Sequence, residues 1–270
     1  MDIYQSIREF YKSANTEKRI IGRSVFGRNI YAVKMGEGSP VGIAQYAIHG
    51  REFITARLAI EQYKIGVKKG SCWLVPLVNP DGALLSETGI KSAKKRYRDK
   101  LLKTNKSEDF SLWKANGRGV DLNVNFDADW GQGAKNVFQP SGENYVGKQP
   151  FSEPESRALK RFTLQIKPDY TLSYHTKGEE IYWYFYQSGE ALERDRALAE
   201  RLSALTGYSL AYAKGSVGGY KDWCIEKLGI PSFTVETGSD EFLHPLKDKE
   251  LTNILEHNLY ALYELSARIE

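Results

Sequence analysis

The chain has 270 residues, 41% of them hydrophobic and 27% charged, a balance that supports a deep core and excludes disordered and low-complexity classes. Lys and Arg number 38 against 34 Asp and Glu, a net charge of +4, which is too little for a nucleic-acid-binding class but suits an anionic substrate. The two cysteines, Cys72 and Cys224, make neither a disulfide framework nor a Cys-rich metal motif, so a bound metal would fall to His and carboxylate ligands.

In chain order, residues 1–10 pattern as an amphipathic helix. They lack the basic start and unbroken apolar run of a secretion signal, and no window is apolar enough for a membrane span. The expectation is a soluble, cytoplasmic protein. Residues 20–35 alternate and turn at Gly27-Arg28, predicting a β-hairpin. Residues 41–48 read as a buried strand that runs into His49-Gly50-Arg51-Glu52. Residues 52–65 follow as a helix, with Leu58, Ala59, Ile60 and Tyr63 on one stripe and a stop at Gly66. The strand at 72–78 leads to Asn79-Pro80-Asp81-Gly82, which reads as a turn.

Residues 88–116 show no clean period. Their cations, Lys91, Lys94, Lys95, Arg96, Arg98, Lys100, Lys103 and Lys106, predict a solvated, partly helical excursion, with an anion-binding face as the alternative. Residues 119–126 are short and alternating, and 131–150 form a Gly-rich loop. Ser152-Glu153-Pro154-Glu155 has the pattern of a capping box ahead of Leu159, Phe162 and Ile166. Strands are predicted at 170–174, 181–187 and 232–235, and helices at 191–206, 219–228 and, as one long terminal element, 248–269. Strands alternating with helices, without linker or repeat, predict one α/β domain over residues 1–270.

Three strand ends carry groups that suit hydrolytic metal chemistry. His49 with Glu52 follows the first central strand, His175 ends another, and Glu236 ends the strand at 232–235. Catalytic zinc takes three protein ligands, keeps one open position and works beside a carboxylate base. In open α/β sheets, sites form beyond strand ends, so these groups can converge. A Glu embedded as Glu236 is costs desolvation energy unless it is paired or near a cation, which makes it base or ligand. The plain alternatives are a surface His49 beside a solvated Glu52, and an edge Glu236 facing water.

The ordered set His49-x-x-Glu52, Asn79-Pro80-Asp81-Gly82, Gly119-Val120-Asp121-Leu122-Asn123, His175 and Glu236 resembles the zinc carboxypeptidase family over about residues 21–238. Within that family, four phrases are similar to the γ-D-glutamyl-diamino acid endopeptidases that cut cell-wall peptides: Trp113-Lys114-Ala115-Asn116, Asn123-Val124-Asn125-Phe126, the stretch from His175-Thr176-Lys177-Gly178 to Tyr184, and Gly218-Gly219-Tyr220-Lys221-Asp222-Trp223.

The resemblance implies a mixed, mostly parallel sheet sandwiched between helices. It implies one Zn²⁺ per chain held by His49, Glu52 and His175, Glu236 as general base, and Asp121 as the carboxylate that orients a ligating imidazole. It offers Arg118 as the cation facing the oxyanion, with Lys114 as competitor. It places Asn123, Lys177, Tyr220 and Lys221 around the substrate.

One departure stands out. Family exopeptidases read Asn-Arg after Gly-Val-Asp, and that Arg clamps a terminal α-carboxylate. Here Val124 follows Asn123 and cannot bind an anion. Lys221 is the complementary change, favouring a leaving residue with an extra carboxylate such as diaminopimelate, unless it only snorkels from its helix. The expected function is hydrolysis of the γ-D-glutamyl–diamino acid amide of peptidoglycan peptides. The alternatives are a carboxypeptidase acting on ordinary acidic C-termini and an inactive muropeptide-binding protein. No nucleic-acid partner is expected. His244 is expected to make only a local hydrogen bond, and His257 to lie exposed on the terminal helix.

Overall fold

Strand alternation builds the sheet in the computed structural model, which describes residues 1–212 and 215–269. Strands β1 (Lys18–Arg23), β2 (Asn29–Gly36), β3 (Val41–Tyr46), β4 (Ser71–Val75), β5 (Tyr170–His175), β6 (Glu180–Tyr182), β7 (Ser209–Ala211) and β8 (Ser232–Glu236) stand in the order β1-β2-β4-β3-β5-β8-β6-β7. The central strands β4, β3, β5 and β8 pair in parallel. The predicted hairpin, β1 with β2, runs antiparallel on one flank. On the other flank β6 is antiparallel to β8 and parallel to β7. The sheet is mixed and mostly parallel, as expected.

Helices α1 (Ile3–Ser13), α2 (Thr55–Ile65), α3 (Pro80–Thr88), α4 (Lys95–Asn105), α5 (Pro154–Ile166), α6 (Gly189–Thr206), α7 (Tyr220–Leu228), α8 (Leu251–Asn258) and α9 (Ala261–Ser266) complete the fold. Successive strand residues face opposite sides. Ala44, Tyr46, Leu74, Leu172 and Tyr174 pack with Leu58, Leu202, Ile254 and Leu262 of α2, α6, α8 and α9. Ile43, Trp73 and Val75 pack with Leu159, Phe162 and Trp223 of α5 and α7 on the other face. Both faces of the parallel centre are covered, as a parallel sheet requires.

Several elements differ from the sequence expectation, each for a local or long-range reason. Residues 79–82 open α3 rather than form a turn: the Asn79 side chain accepts from the Gly82 N–H and Pro80 occupies the first helical turn, the arrangement that favours helix starts. Residues 119–126, short and alternating in sequence, contain a 3₁₀ turn, Leu122–Val124. The predicted strand at 181–187 is confined to β6, and β7 is too short to show a period. Within 88–116, α4 buries Leu101 beside Phe26, Phe110 and Trp113.

The expected capping box at α5 is absent. Glu153 is the N-cap without a side-chain bond, and the Ser152 hydroxyl donates to Glu153 itself. The terminal helix is split into the 3₁₀ turn Asp248–Glu250, α8 and α9. Gln62 Nε2 donates 2.9 Å to the Asn258 carbonyl, which takes that acceptor from the helical ladder where α8 stops. No helix among the described residues is long and apolar enough to cross a membrane.

Candidate active site

The parallel strands β3, β5 and β8 bring the three sequence signals to one edge of the sheet. His175 and Glu236 lie in register across β5 and β8. β3 stops at Tyr46, and Ala47 adopts φ 50° while its N–H donates 2.9 Å to Thr55 Oγ1. A non-glycine residue in the left-handed region is held there by its surroundings. This bend feeds His49 into the 3₁₀ turn Gly50–Glu52. The Gly50 N–H donates to the Lys114 carbonyl at 2.8 Å. Asn79 Nδ2 donates to the carbonyls of Ile48 at 3.1 Å and Ala115 at 3.2 Å. Asn79 therefore ties the end of β3, the start of α3 and the Lys114 loop together.

His49, Glu52 and His175 are all buried and form a cluster able to hold a metal ion. His49 Nδ1 is 2.9 Å from Glu52 Oε1 and 3.1 Å from His175 Nδ1, which is 3.0 Å from Glu52 Oε2. His49 Nε2 lies 3.2 Å from Asp121 Oδ1. That contact keeps the ring proton on Nε2 and turns the Nδ1 lone pair toward the cluster. Imidazole lone pairs and a carboxylate that converge at such distances repel one another unless a cation lies among them. The donor set, two imidazoles and one carboxylate, is one that catalytic zinc takes. The residues fit the metal.

The surrounding charges set the protonation states. Burial disfavours the charged form of His49, but the carboxylates of Glu52 and Asp121 outweigh it and raise its pKa above the usual value. Burial likewise opposes ionisation of Glu52, and the two histidines reverse this and hold it well below the ordinary carboxylate range. Asp121, buried beside Lys114 and His49, is also held low. Glu236 is pushed up to about 7, by burial first and by the charges of Glu52 and Glu180, against His175 and Lys114. A carboxyl group poised there can exchange a proton near neutral pH.

The remaining expected residues separate. Lys114 Nζ is 3.7 Å from Asp121 Oδ2, and its charge acts on both His49 and Glu236. Arg118 points its guanidinium at Glu153, 3.5 Å away, and its side chain is nearly half exposed. A cavity of about 220 Å³ is lined by Asn123, Tyr182, Lys221, Asp222, Thr234 and Glu236, among others.

Lys221 is buried in that wall. Its ammonium donates to Asp222 Oδ1 at 2.5 Å and to the Tyr184 carbonyl at 3.1 Å, and it lies 5.4 Å from the Phe185 ring centroid. The side chain therefore does not snorkel to solvent. Tyr220 does not reach the cavity with its ring: it is buried among Phe126 and Trp223, with its hydroxyl on Thr163 Oγ1 at 2.9 Å. Lys177 is tied to Asp240 at 2.8 Å.

His244 and Arg51 were missed as neighbours of the cluster. Burial presses the His244 pKa down to about 4, and its ring feels the charges of Glu52, Arg51, Lys177 and Lys114. Its Nδ1 is buried with no partner among the described residues, so the expected local hydrogen bond is not made through that atom. His257 is partly buried and its Nδ1 binds the Thr206 carbonyl at the end of α6.

An α/β sheet that presents a His-Glu-His cluster and a raised carboxyl group at its strand ends defines a metal-hydrolase class. Residues 3–261 match the zinc carboxypeptidase family, and the chain belongs to that family, whose metal is zinc. It is 34% identical over 261 residues to γ-D-glutamyl-L-diamino acid endopeptidase 1 of Lysinibacillus sphaericus, an alignment covering 88% of this chain and 64% of that relative. The chain thus spans just under two thirds of that relative's length. Bovine thrombin-activatable fibrinolysis inhibitor, solved with tick carboxypeptidase inhibitor, superposes with a TM-score of 0.77 at 20% identity, covering 100% of this chain and 97% of that one. The murein-tripeptide amidase MpaA of Escherichia coli O157 superposes with a TM-score of 0.64 at 22% identity, covering 96% and 94%. Both have the same fold as this chain.

Proposed function

We propose that this protein hydrolyses the γ-D-glutamyl–diamino acid amide of peptidoglycan peptides, with diaminopimelate as the leaving residue. The observation that carries the reading is one cavity holding both the raised Glu236 and the buried Lys221 beside the His49-Glu52-His175 cluster. The endopeptidase of L. sphaericus supports the bond type through its 34% identity.

His49, Glu52 and His175 would hold the zinc, and the ion when bound would supply Lewis-acid polarisation of the amide. Glu236 in its ionised form takes a proton from the attacking water as the oxygen adds to the amide carbon. Lys114, whose charge already acts on Glu236, faces the developing oxyanion, a role for which Arg118 is less suited because Glu153 holds it. Glu236 then passes its proton to the leaving nitrogen as the C–N bond breaks, releasing a γ-D-glutamyl acid and a free amine. Lys221 has three N–H donors and spends two on Asp222 and Tyr184. The third, with the Asn123 amide, serves the distal carboxylate of the leaving residue.

A panel of synthetic muropeptides, with and without chelator, tests this reading. L-Ala-γ-D-Glu-diaminopimelate is expected to be cut and the cut to be lost on chelation. Glu236→Gln, which keeps the shape but accepts no proton, is expected to lose about 10²–10⁴ in kcat while retaining zinc. Replacing diaminopimelate by lysine removes the distal carboxylate and is expected to cost wild type about tenfold in kcat/KM, the scale of one charge-assisted contact. It should cost Lys221→Ala little. Efficient release of C-terminal Phe or Leu from ordinary peptides would favour the carboxypeptidase reading instead.

A further inference from the structure

We infer that a second, basic cavity is the subsite for the free α-carboxylate of a γ-linked acidic residue on the acyl side of the scissile amide, with Lys135 as its specificity residue. The inference deepens the substrate reading above and rests on it. The cavity holds about 340 Å³ and meets the Lys221 cavity at Ser216, which lines both. Among the described residues its wall carries Arg51, Lys114 and Lys135 against one carboxylate, Glu143, with Val124 and Asn144 beside them.

The three cations are not equally free. Lys114 leans on Asp121, 3.7 Å away. Arg51 lies in sequence between the ligands His49 and Glu52, and its Nη1 stands 3.8 Å from Glu143 Oε2, beyond hydrogen-bond reach. Its Nε is buried with no acceptor among the described residues, a donor that costs free energy until a ligand satisfies it. Lys135 is exposed and forms no ion pair among the described residues. Its loop is fixed to the loop that carries Ser216, because the Ala134 N–H donates to the Gly215 carbonyl at 2.9 Å. Asn136 Oδ1 also accepts from the Gly133 N–H at 2.8 Å. Val124 shares this wall without binding an anion, so anion recognition passes to Arg51 and Lys135.

The chemistry selects the ligand. A γ-linked glutamyl residue uses its side-chain carbonyl for the scissile amide and leaves its α-carboxylate free, a few bonds from the reacting carbon. An ordinary α-linked residue has no such group at that place. With the leaving residue at Lys221 and Glu236, the acyl residue extends toward Arg51, Lys114 and Lys135, where its carboxylate meets donors that lack a carboxylate at hydrogen-bond distance among the described residues. The cavity thereby separates γ-linked from α-linked substrates.

The test compares L-Ala-γ-D-Glu-diaminopimelate with its α-amide, in wild type, Lys135→Ala and Lys135→Arg. Calorimetric binding of the dipeptide L-Ala-γ-D-Glu to the zinc-loaded proteins gives a readout apart from turnover. Amidation is expected to cost wild type and Lys135→Arg about tenfold or more in kcat/KM, chiefly through KM. In Lys135→Ala the two substrates should differ by no more than about twofold, and dipeptide binding should weaken about tenfold and lose much of its salt dependence. Equal costs of amidation in wild type and Lys135→Ala, with dipeptide affinity unchanged, would overturn the subsite. If wild type cuts no γ-D-glutamyl peptide yet binds the dipeptide through Lys135, the substrate reading fails and the subsite stands. If it neither cuts nor binds, both fail.

Discussion

His49 is held from two sides, and its place in the metal cluster depends on the side away from the cluster. Asp121 Oδ1 stands 3.2 Å from Nε2, and the same carboxylate accepts from the N–H groups of Asn123 and Asn144 at 3.1 Å. The carboxylate is thus pinned by backbone before it meets the imidazole. Asp121→Asn keeps the volume but removes the charge that fixes the ring's tautomer. Zinc affinity is expected to fall about 10–100-fold, the usual effect of losing such a partner. Competition against a fluorescent chelator measures this, and unchanged affinity would mean that the ligand set orients itself without Asp121. His244, by contrast, has no bond to any of the three ligands, so His244→Ala should keep full zinc in the same assay.

At the scale of elements, the 3₁₀ turn carrying Glu52 sits directly on the start of α3. A Cβ on Gly50 would fall 2.5 Å from the Gly82 carbonyl carbon and oxygen and 2.7 Å from the Trp113 carbonyl oxygen. All three obstacles are backbone and cannot swing aside. The Asn79 side chain fixes both elements at this contact. Gly50→Ala must therefore push the turn and α3 apart, and the ligands His49 and Glu52 stand at the two ends of this turn. The expected loss is about 2 kcal/mol of stability or more, together with reduced zinc content. Thermal unfolding with and without zinc, beside metal analysis, checks both. A variant that melts within a degree of wild type would show that the contact yields cheaply.

Across the whole molecule, a buried acidic network joins the turn between β1 and β2, α3 and α5. Asp81 accepts from Ser24 Oγ, the Phe26 N–H and Arg28 Nη1 at 2.6–2.8 Å. Glu155, fully buried, accepts from the Val25 N–H at 2.9 Å and from Asn116 Nδ2 at 3.2 Å. Burial, and then the charge of Asp81, pushes Glu155 up to about 8. The folded chain therefore keeps a proton that the unfolded chain releases in the ordinary carboxylate range. Stability from this group is complete below that range and is lost as pH rises toward 8, by at most about 1.4 kcal/mol per pH unit. Glu155→Gln cannot ionise, so its unfolding free energy should fall less than wild type's between about pH 5 and 8. Parallel curves for the two proteins in denaturant titrations would exclude this role for Glu155.

The sequence by itself determined what local periodicity and chemical type can determine. Runs at 41–48, 170–174 and 232–235 are apolar enough to be interior strands, and a parallel sheet places their ends together. His49, His175 and Glu236 were therefore legible as neighbours, whereas Asn79–Gly82 read as a turn and opens α3. Tertiary structure alone decided which long side chains reach the site. Lys114 and Arg118 lie four positions apart in an aperiodic stretch, and packing of Trp113 against Phe110 together with the Glu153 carboxylate sends them to different partners. Tyr220 and Lys221 are adjacent on α7, where successive side chains diverge by about a quarter turn or more. One fills the core and the other lines the cavity. The second cavity was not legible, because its walls come from segments near residues 51, 114, 135 and 215 that share no local pattern. Side-chain direction in a loop is set by contacts distant in sequence, and no spacing rule encodes those.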